Sequence, residues 1–125
     1  MNGATLLYRQ IHPTFVQLGR VTSQAFRPTE KDEFQLSAYD GDMIDAEPSW
    51  VHYTTQLGYG SCGVLAVAVG ECVGLDLRVE PAPDTFPEHV LVDFRAHNGS
   101  QMEKRSKKLR GCAERRGWMY QPPQE

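Results

Sequence analysis

The sequence predicts a single α+β domain in which a mixed sheet of about four to six strands is covered by two main helices. Its 125 residues fit one domain, since domains cluster near roughly 100–150 residues. Short apolar or alternating segments along the whole chain predict the strands, and two segments with helical spacing, each ending at a glycine, predict the helices. We place the domain at residues 1–120 and a frayed tail at residues 121–125.

Three strands are predicted in the first third of the chain. Residues 5–11 have strand composition, and the segment ends at His12-Pro13 because the residue before a proline is pushed to extended conformations. Residues 20–26 alternate imperfectly and predict a second strand. Residues 34–39 alternate apolar and polar side chains, so this third strand is expected to have one face in water.

The middle of the chain predicts a helix and then a buried strand. Residues 45–57 have an acidic start, Pro48 in the first turn and apolar side chains at helical spacing, and Gly58 ends the segment. Residues 63–69 are apolar on both faces, which is typical of a central strand covered on both sides. Residues 77–79 predict a brief edge strand.

The last predicted strand and the second helix follow a proline-rich loop. Residues 89–95 place Val90, Val92 and Phe94 on one face and polar side chains on the other. Residues 100–116 predict the second helix, in which Ser100 and Glu103 match a capping box and Gly117 is the stop. The aromatic residues after Gly117 are expected to fold back onto the core.

The distribution of charge is the strongest functional signal. Residues 1–99 carry six Lys/Arg and thirteen Asp/Glu, whereas residues 100–125 carry seven and three. All seven of these basic residues lie between Lys104 and Arg116. The net charge of −3 therefore averages an acidic body and a basic C-terminal helix.

The helix geometry indicates a contact surface. At about 100° per residue, Lys104, Lys107, Lys108 and Arg115 gather on one side of the helix, while Arg105 flanks the apolar stripe as a candidate anchor. This pattern predicts a small cytosolic interaction or regulatory module, not an enzyme, that binds a protein partner with an acidic surface. A solvated face without a partner and a nucleic-acid-binding face remain the alternatives.

A small hydrolase or transferase is the rival hypothesis. His89, Asp93 and Arg95 share one face of the predicted strand, and a His/Asp pair can orient a general base. Cys62 follows a glycine-rich loop, where backbone N–H groups can stabilise a thiolate. These four residues are candidates for a catalytic site, and the sequence pattern does not identify any of them as catalytic.

Several other classes lack support in the sequence. Residues 58–63 (GYGSCG) match a dinucleotide motif by letter, but they lie between a predicted helix and a following strand, which is the reverse of the required order. Three cysteines without close Cys/His pairs predict neither disulfides nor zinc. The N-terminus has no cationic start, and no apolar run approaches about 20 residues. We therefore expect no cofactor, no metal, no membrane contact and a cytoplasmic location.

Two parts of the sequence resemble known groups of proteins. Arg9 in an early strand and Ser37 in LSAYDG resemble the Arg…Ser order of ADP-ribosyltransferase-type folds, although no Glu completes that set. The run SQAFRPTEKDEFQLSAYDGD is similar to segments of small bacterial proteins without an assigned function. This second resemblance implies a bacterial origin and no activity.

Overall fold

A computed structural model describes residues 1–123 and confirms the α+β class. Its strands are β1 (Leu6–Gln10), β2 (Val16–Gln17), β3 (Arg20–Val21), β4 (Gln35–Asp40), β5 (Val64–Ala68), β6 (Arg78–Pro81) and β7 (His89–Asp93). Its α-helices are α1 (Ala46–Val51), α2 (Val69–Gly74) and α3 (Gly99–Arg116). A π-helical segment (His52–Gln56) continues α1, and short 3-10 turns lie at Pro13–Phe15, Ser23–Phe26 and Glu30–Asp32.

The main sheet has the strand order β5-β1-β4-β7-β6, and β2 and β3 form a separate hairpin. All neighbouring strands are antiparallel, so the expectation of a mixed sheet was wrong. The reason is the position of β1. Because β1 is antiparallel to both β4 and β5 and lies between them, the parallel strands of the β4–α1–β5 unit never become neighbours.

The hydrophobic core lies between one face of this sheet and α3. Alternate residues of β4 and β7 enter it, including Leu36, Ala38, Val90 and Val92, as period-2 alternation predicts. Leu109 of α3 is completely buried against them. The opposite face carries α1 over β1 and β5, and His52 of the π-helical segment contacts Tyr39 of β4. No helix within residues 1–123 has the length and apolar character needed to cross a membrane.

The second predicted strand is much shorter than expected. β3 covers Arg20–Val21 alone, and the chain then forms the 3-10 turn at Ser23–Phe26. Ala25 and Phe26 are consecutive and both buried, at 0% and 1% exposure. A strand would point one of them away from the core, whereas the turn places both under α3. Ser106 of α3 fixes the contact by donating to the carbonyl oxygen of Phe26, at 2.9 Å.

The first helix changes its winding half-way. Asp45 precedes α1 as the predicted start, but the predicted helical segment becomes π-helical from His52. Thr54 Oγ1 donates to the carbonyl oxygen of Trp50 at 2.8 Å, and Thr55 Oγ1 donates to that of Val51 at 2.5 Å. Such side-chain bonds compete with the backbone ladder and accompany wider helical turns.

β5 is buried as predicted but does not lie at the centre of the sheet. It is the terminal strand, and the C-terminal segment covers its outer edge at Val64: the Val64 N–H donates to Tyr120 O at 2.8 Å, and the Met119 N–H donates to Val64 O at 2.9 Å. Trp118 lies against Gly63, where an added Cβ would be 2.8 Å from the indole ring. The aromatic segment thus folds back onto the domain, as expected.

The start of α3 also differs from the prediction. Asn98, rather than Ser100, is the N-cap: its Oδ1 accepts from the Gln101 N–H at 2.9 Å, and Gln101 Oε1 accepts from the Asn98 N–H at 2.8 Å. Glu103 pairs with Arg27 instead. Of the predicted tail, residues 121–123 have no regular secondary structure and residues 124–125 lie outside the described residues.

Candidate functional site

The three lysines of the predicted contact surface lie exposed along α3. Lys104, Lys107 and Lys108 all point into solvent. The Lys107 ammonium is 4.0 Å from the Glu103 carboxylate, and its side chain remains 65% exposed. An exposed pair of this kind contributes little and is screened by salt. The lysine charges are therefore available to a partner.

Arg115 and Arg105 have different positions. Arg115 is exposed, and its Nη2 is 3.5 Å from Cys112 Sγ on the preceding turn. Arg105 is half-buried, with Nε donating to Leu75 O at 2.7 Å and Nη1 donating to Gln101 O at 3.2 Å. Because these donors are already occupied, Arg105 fastens the end of α2 to α3, and the candidate anchor role assigned to it stays a prediction.

A groove of about 450 Å³ runs between α2 and α3, and we call it the basic groove. Three cationic side chains of α3 reach it: Lys107, Lys108 and Arg115. Its other lining residues are Gly70, Glu71, Gly74, Leu75, Gly111 and Cys112. The glycines leave backbone accessible, while Leu75 and Cys112 supply apolar surface. The groove therefore combines an apolar floor with a cationic rim.

The single carboxylate of the basic groove is already paired. Arg116 Nη1 and Nη2 donate to Glu71 Oε1 and Oε2 at 3.0 and 3.1 Å, and the Ala68 N–H donates to Oε1 at 2.7 Å. Burial alone would raise the pKa of Glu71, but these hydrogen bonds outweigh it and hold the pKa below its ordinary value. Glu71 is thus ionised and matched by Arg116, so the lysines and Arg115 keep the groove cationic.

The residues of the enzyme hypothesis do not form one site. Asp93 accepts hydrogen bonds from the Arg95 guanidinium at 2.8–3.1 Å. This bonding with Arg95, against the opposing effect of burial, lowers the pKa of Asp93. His89 begins β7 and Asp93 ends it. The carboxylate of Asp93 is therefore bonded to Arg95 and does not orient His89.

Cys62 lies far from both of these residues. It precedes β5, and β1 and β4 separate β5 from β7 in the sheet. At about 4.8 Å between strands, this order places β5 and β7 roughly 14 Å apart. Burial raises the pKa of the Cys62 thiol, and the residue packs against the hydrophobic core. The arrangement favours a neutral packing residue over a thiolate nucleophile.

The structure instead brings together a pair that sequence reasoning missed. Ser37 Oγ lies 2.6 Å from His89 Nε2. β4 and β7 are neighbours in which Ser37 is opposite Leu91 and Tyr39 is opposite His89, so Ser37 and His89 are diagonal neighbours on one face. Alternation along each strand indicated the face, but no signal in the sequence showed that these two strands pair.

Arg9 and Ser37, the residues of the transferase resemblance, also meet. Arg9 Nη1 donates to the carbonyl oxygen of Ser37 at 2.9 Å, and Nε donates to that of Ala25 at 2.9 Å. The β1–β4 register covers two residue pairs, whereas β1 and β5 share five. The guanidinium therefore donates to backbone carbonyl oxygens at the point where β1 and β4 are no longer paired. The Ser37 hydroxyl is directed to His89 rather than to Arg9.

The basic residues of α3 thus divide into internal and external groups. Arg105, Arg110 and Arg116 donate to the backbone carbonyl oxygens of Leu75, Val21 and Ala66, respectively. Lys104, Lys107, Lys108 and Arg115 are exposed.

No protein family model, curated protein or solved structure matches the chain.

Proposed function

We propose that this protein is a small bacterial cytoplasmic module that binds an acidic segment of a protein partner in the basic groove. The observation that carries the proposal is the separation of roles within α3. Three arginines hold the helix on the domain, while three lysines and Arg115 are exposed along or beside the groove. Because the helix backbone is already fixed, binding orders only the side chains of this surface.

The shape of the groove supports a protein segment as the occupant. Charge complementarity mainly sets association rate and specificity, and most affinity comes from buried apolar contacts. Leu75 and Cys112 lie in the groove and supply apolar surface for such contacts. A partner that places Asp or Glu on the rim and one apolar side chain on the floor fits both features.

Nucleic acid fits the same surface less well. The whole chain has a net charge of −3, which opposes binding to polyanions outside the groove. The lining residues of the groove include no aromatic side chain on which a base could stack. A nucleic-acid partner would also make affinity fall steeply with salt, because each phosphate contact releases counterions.

The test is an affinity pull-down of the tagged protein from its host lysate, divided into nuclease-treated and untreated halves. Three baits are compared: the unchanged chain, a variant with Lys104, Lys107 and Lys108 all replaced by Glu, and a matched variant with the same three replaced by Arg. We expect one stoichiometric protein partner, resistant to nuclease, on the unchanged and Arg baits. We expect the Glu bait to lose it.

The opposite outcomes separate the alternatives. Material that disappears after nuclease treatment would assign the surface to nucleic acid. Equal capture by all three baits would place the interface elsewhere on the domain. The three lysines donate no side-chain hydrogen bond within residues 1–123 beyond the long Lys107 contact, so all baits should unfold at the same temperature. A lowered unfolding temperature in the Glu bait alone would attribute its failure to folding.

A further inference from the structure

A second site, independent of the basic groove, lies on the other side of the domain at Ser37 and His89. The Ser37 side chain is exposed, whereas His89 is 8% exposed. Their 2.6 Å hydrogen bond joins β4 and β7, two strands that share five residue pairs. A hydroxyl open to solvent is thus held against a buried imidazole by two extensively paired strands.

The tautomer of His89 is fixed by its second hydrogen bond. His89 Nδ1 lies 3.2 Å from the carbonyl oxygen of Ala82. A carbonyl oxygen can only accept, so Nδ1 carries the hydrogen and Nε2 presents its lone pair to the Ser37 hydroxyl. Ser37 therefore donates to His89, the direction required when a base removes a proton from a nucleophile.

The environment keeps this imidazole neutral. Burial lowers the pKa of His89 from its ordinary value of 6.5, and the hydrogen bond to Ala82 opposes that shift only in part. The Phe86 ring packs at 4.7 Å from the imidazole, and Tyr39 packs at 4.9 Å from Phe86. At neutral pH the base is thus unprotonated and fixed in orientation. Phe86 and Ala82 are positioning residues.

The surroundings of Ser37 indicate the substrate class. Leu91 is directly opposite Ser37 on β7 and is half-buried, and Phe86 lies against His89. These side chains form an apolar border beside the hydroxyl. An apolar acyl group fits this border.

We propose that Ser37 is an acyl-accepting nucleophile, with His89 as its general base, for small carboxylic esters with an apolar acyl group. Ser37 Oγ attacks the ester carbonyl carbon and forms a C–O bond while its proton passes to His89 Nε2. The bond to the leaving alkoxide then breaks, and the same proton passes to the alcohol oxygen. Water hydrolyses the acyl-serine by the same route, which returns Ser37 and releases the carboxylic acid.

The experiment is acetylation by p-nitrophenyl acetate, followed by peptide mass mapping of each acetylated position. Ser100 is an exposed serine of α3 and is the internal reference. We expect Ser37 to be acetylated about 100-fold faster than Ser100, since a positioned base contributes roughly 10²–10⁴-fold. We expect Ser37→Ala to abolish that reaction, His89→Gln to slow it about 100-fold, and Ser100→Ala to leave it unchanged.

Two results would overturn the proposal. One is acetylation of Ser37 no faster than that of Ser100 in the unchanged protein, a comparison that does not depend on any variant folding. The other is the pH profile of the unchanged protein. We expect the Ser37 rate to rise as His89 loses its proton below about pH 6.5 and then to level. A rate that climbs with hydroxide throughout would mean that no base assists Ser37.

Discussion

Arg116 joins three elements through one guanidinium, because it donates twice to the Glu71 carboxylate and once to Ala66 O at 2.9 Å. Glu71 in turn accepts from the Ala68 N–H that precedes α2. The end of α3, the start of α2 and the middle of β5 are therefore connected by charged hydrogen bonds. These groups are 25–28% exposed, so solvent screens them only in part.

Replacing Arg116 by Met should destabilise the fold. The substitution leaves Glu71 half-buried without its cation, and hydrogen bonds to charged groups are worth about 1.5–3 kcal/mol. We expect the free energy of unfolding in urea to fall by about that amount. Arg20→Met is the matched control: Arg20 pairs with Glu114 but is 67% exposed, so no measurable change is expected there. An equal loss of unfolding free energy in both variants would contradict a stabilising role for the Arg116–Glu71 pair.

Stability should fall on acidification in two stages. The pKa of His89 is below its unfolded value of 6.5, so the unfolded chain binds the proton first and stability declines as pH falls from 6.5 through the folded pKa. The pKa of Glu71 is below 4.5, so its contribution is present above pH 4.5 and is lost below it. Urea titrations across this range should show both stages. His89→Gln should remove the first stage, and persistence of that stage in the variant would show that it does not come from protonation of His89.

The three cysteines should react slowly with iodoacetamide at pH 7. Burial, followed by the charge of Glu71, raises the pKa of Cys72 to about 12, and burial also raises the pKa values of Cys62 and Cys112. Little thiolate is therefore present at neutral pH. Mass mapping after a short pulse should show weak labelling of Cys62 and Cys112 and none of Cys72 until urea is added. Rapid labelling of Cys62 would identify an activated thiol.

Gly63→Ala should loosen the C-terminal segment. The new Cβ would lie 2.8 Å from the Trp118 ring and 2.9 Å from Tyr120 O, at a φ of +158°, and such overpacking typically costs about 1–3 kcal/mol. We expect this destabilisation in urea, and a red shift of Trp118 fluorescence when Trp50 is replaced by Phe. Gly74→Ala is the control, since an added Cβ there meets nothing within 4 Å. An unshifted Trp118 spectrum would contradict the packing.

The elements with clear local patterns could be predicted from the sequence. β4 and β7 alternate between core and opposite face as expected, and α3 ends at Gly117 as expected. These features depend on side-chain periodicity and on one glycine, both of which are local. The expectation that the opposite face lies in water was wrong, because Tyr39 and His89 on it are buried. The prediction of a strand over residues 20–26 was wrong for an equally physical reason. Two adjacent side chains, Ala25 and Phe26, both had to reach the core, and a strand cannot do that.

Pairing between distant segments could not be predicted. The candidate surface on α3 was recognisable because its lysines share one helix. Ser37 and His89, by contrast, are separated by 51 residues and meet only because β4 lies beside β7. Likewise, the apolar composition of β5 predicted burial but not its place in the sheet, because covering by α1, α3 and Tyr120 produces the same burial as a central position.

The cover that Met119 and Tyr120 place over β5 has a consequence for aggregation. A bare outer strand presents unpaired N–H and C=O groups that can recruit a strand from another molecule. Here both outward groups of Val64 are already hydrogen-bonded to Met119 and Tyr120 of the same chain. The opposite border, β6, carries Arg78 and Glu80 and ends in Pro81, residues that discourage strand addition. Release of the short segment around Tyr120 would therefore expose the two outward groups of Val64 to strand pairing with another molecule while the core is still folded.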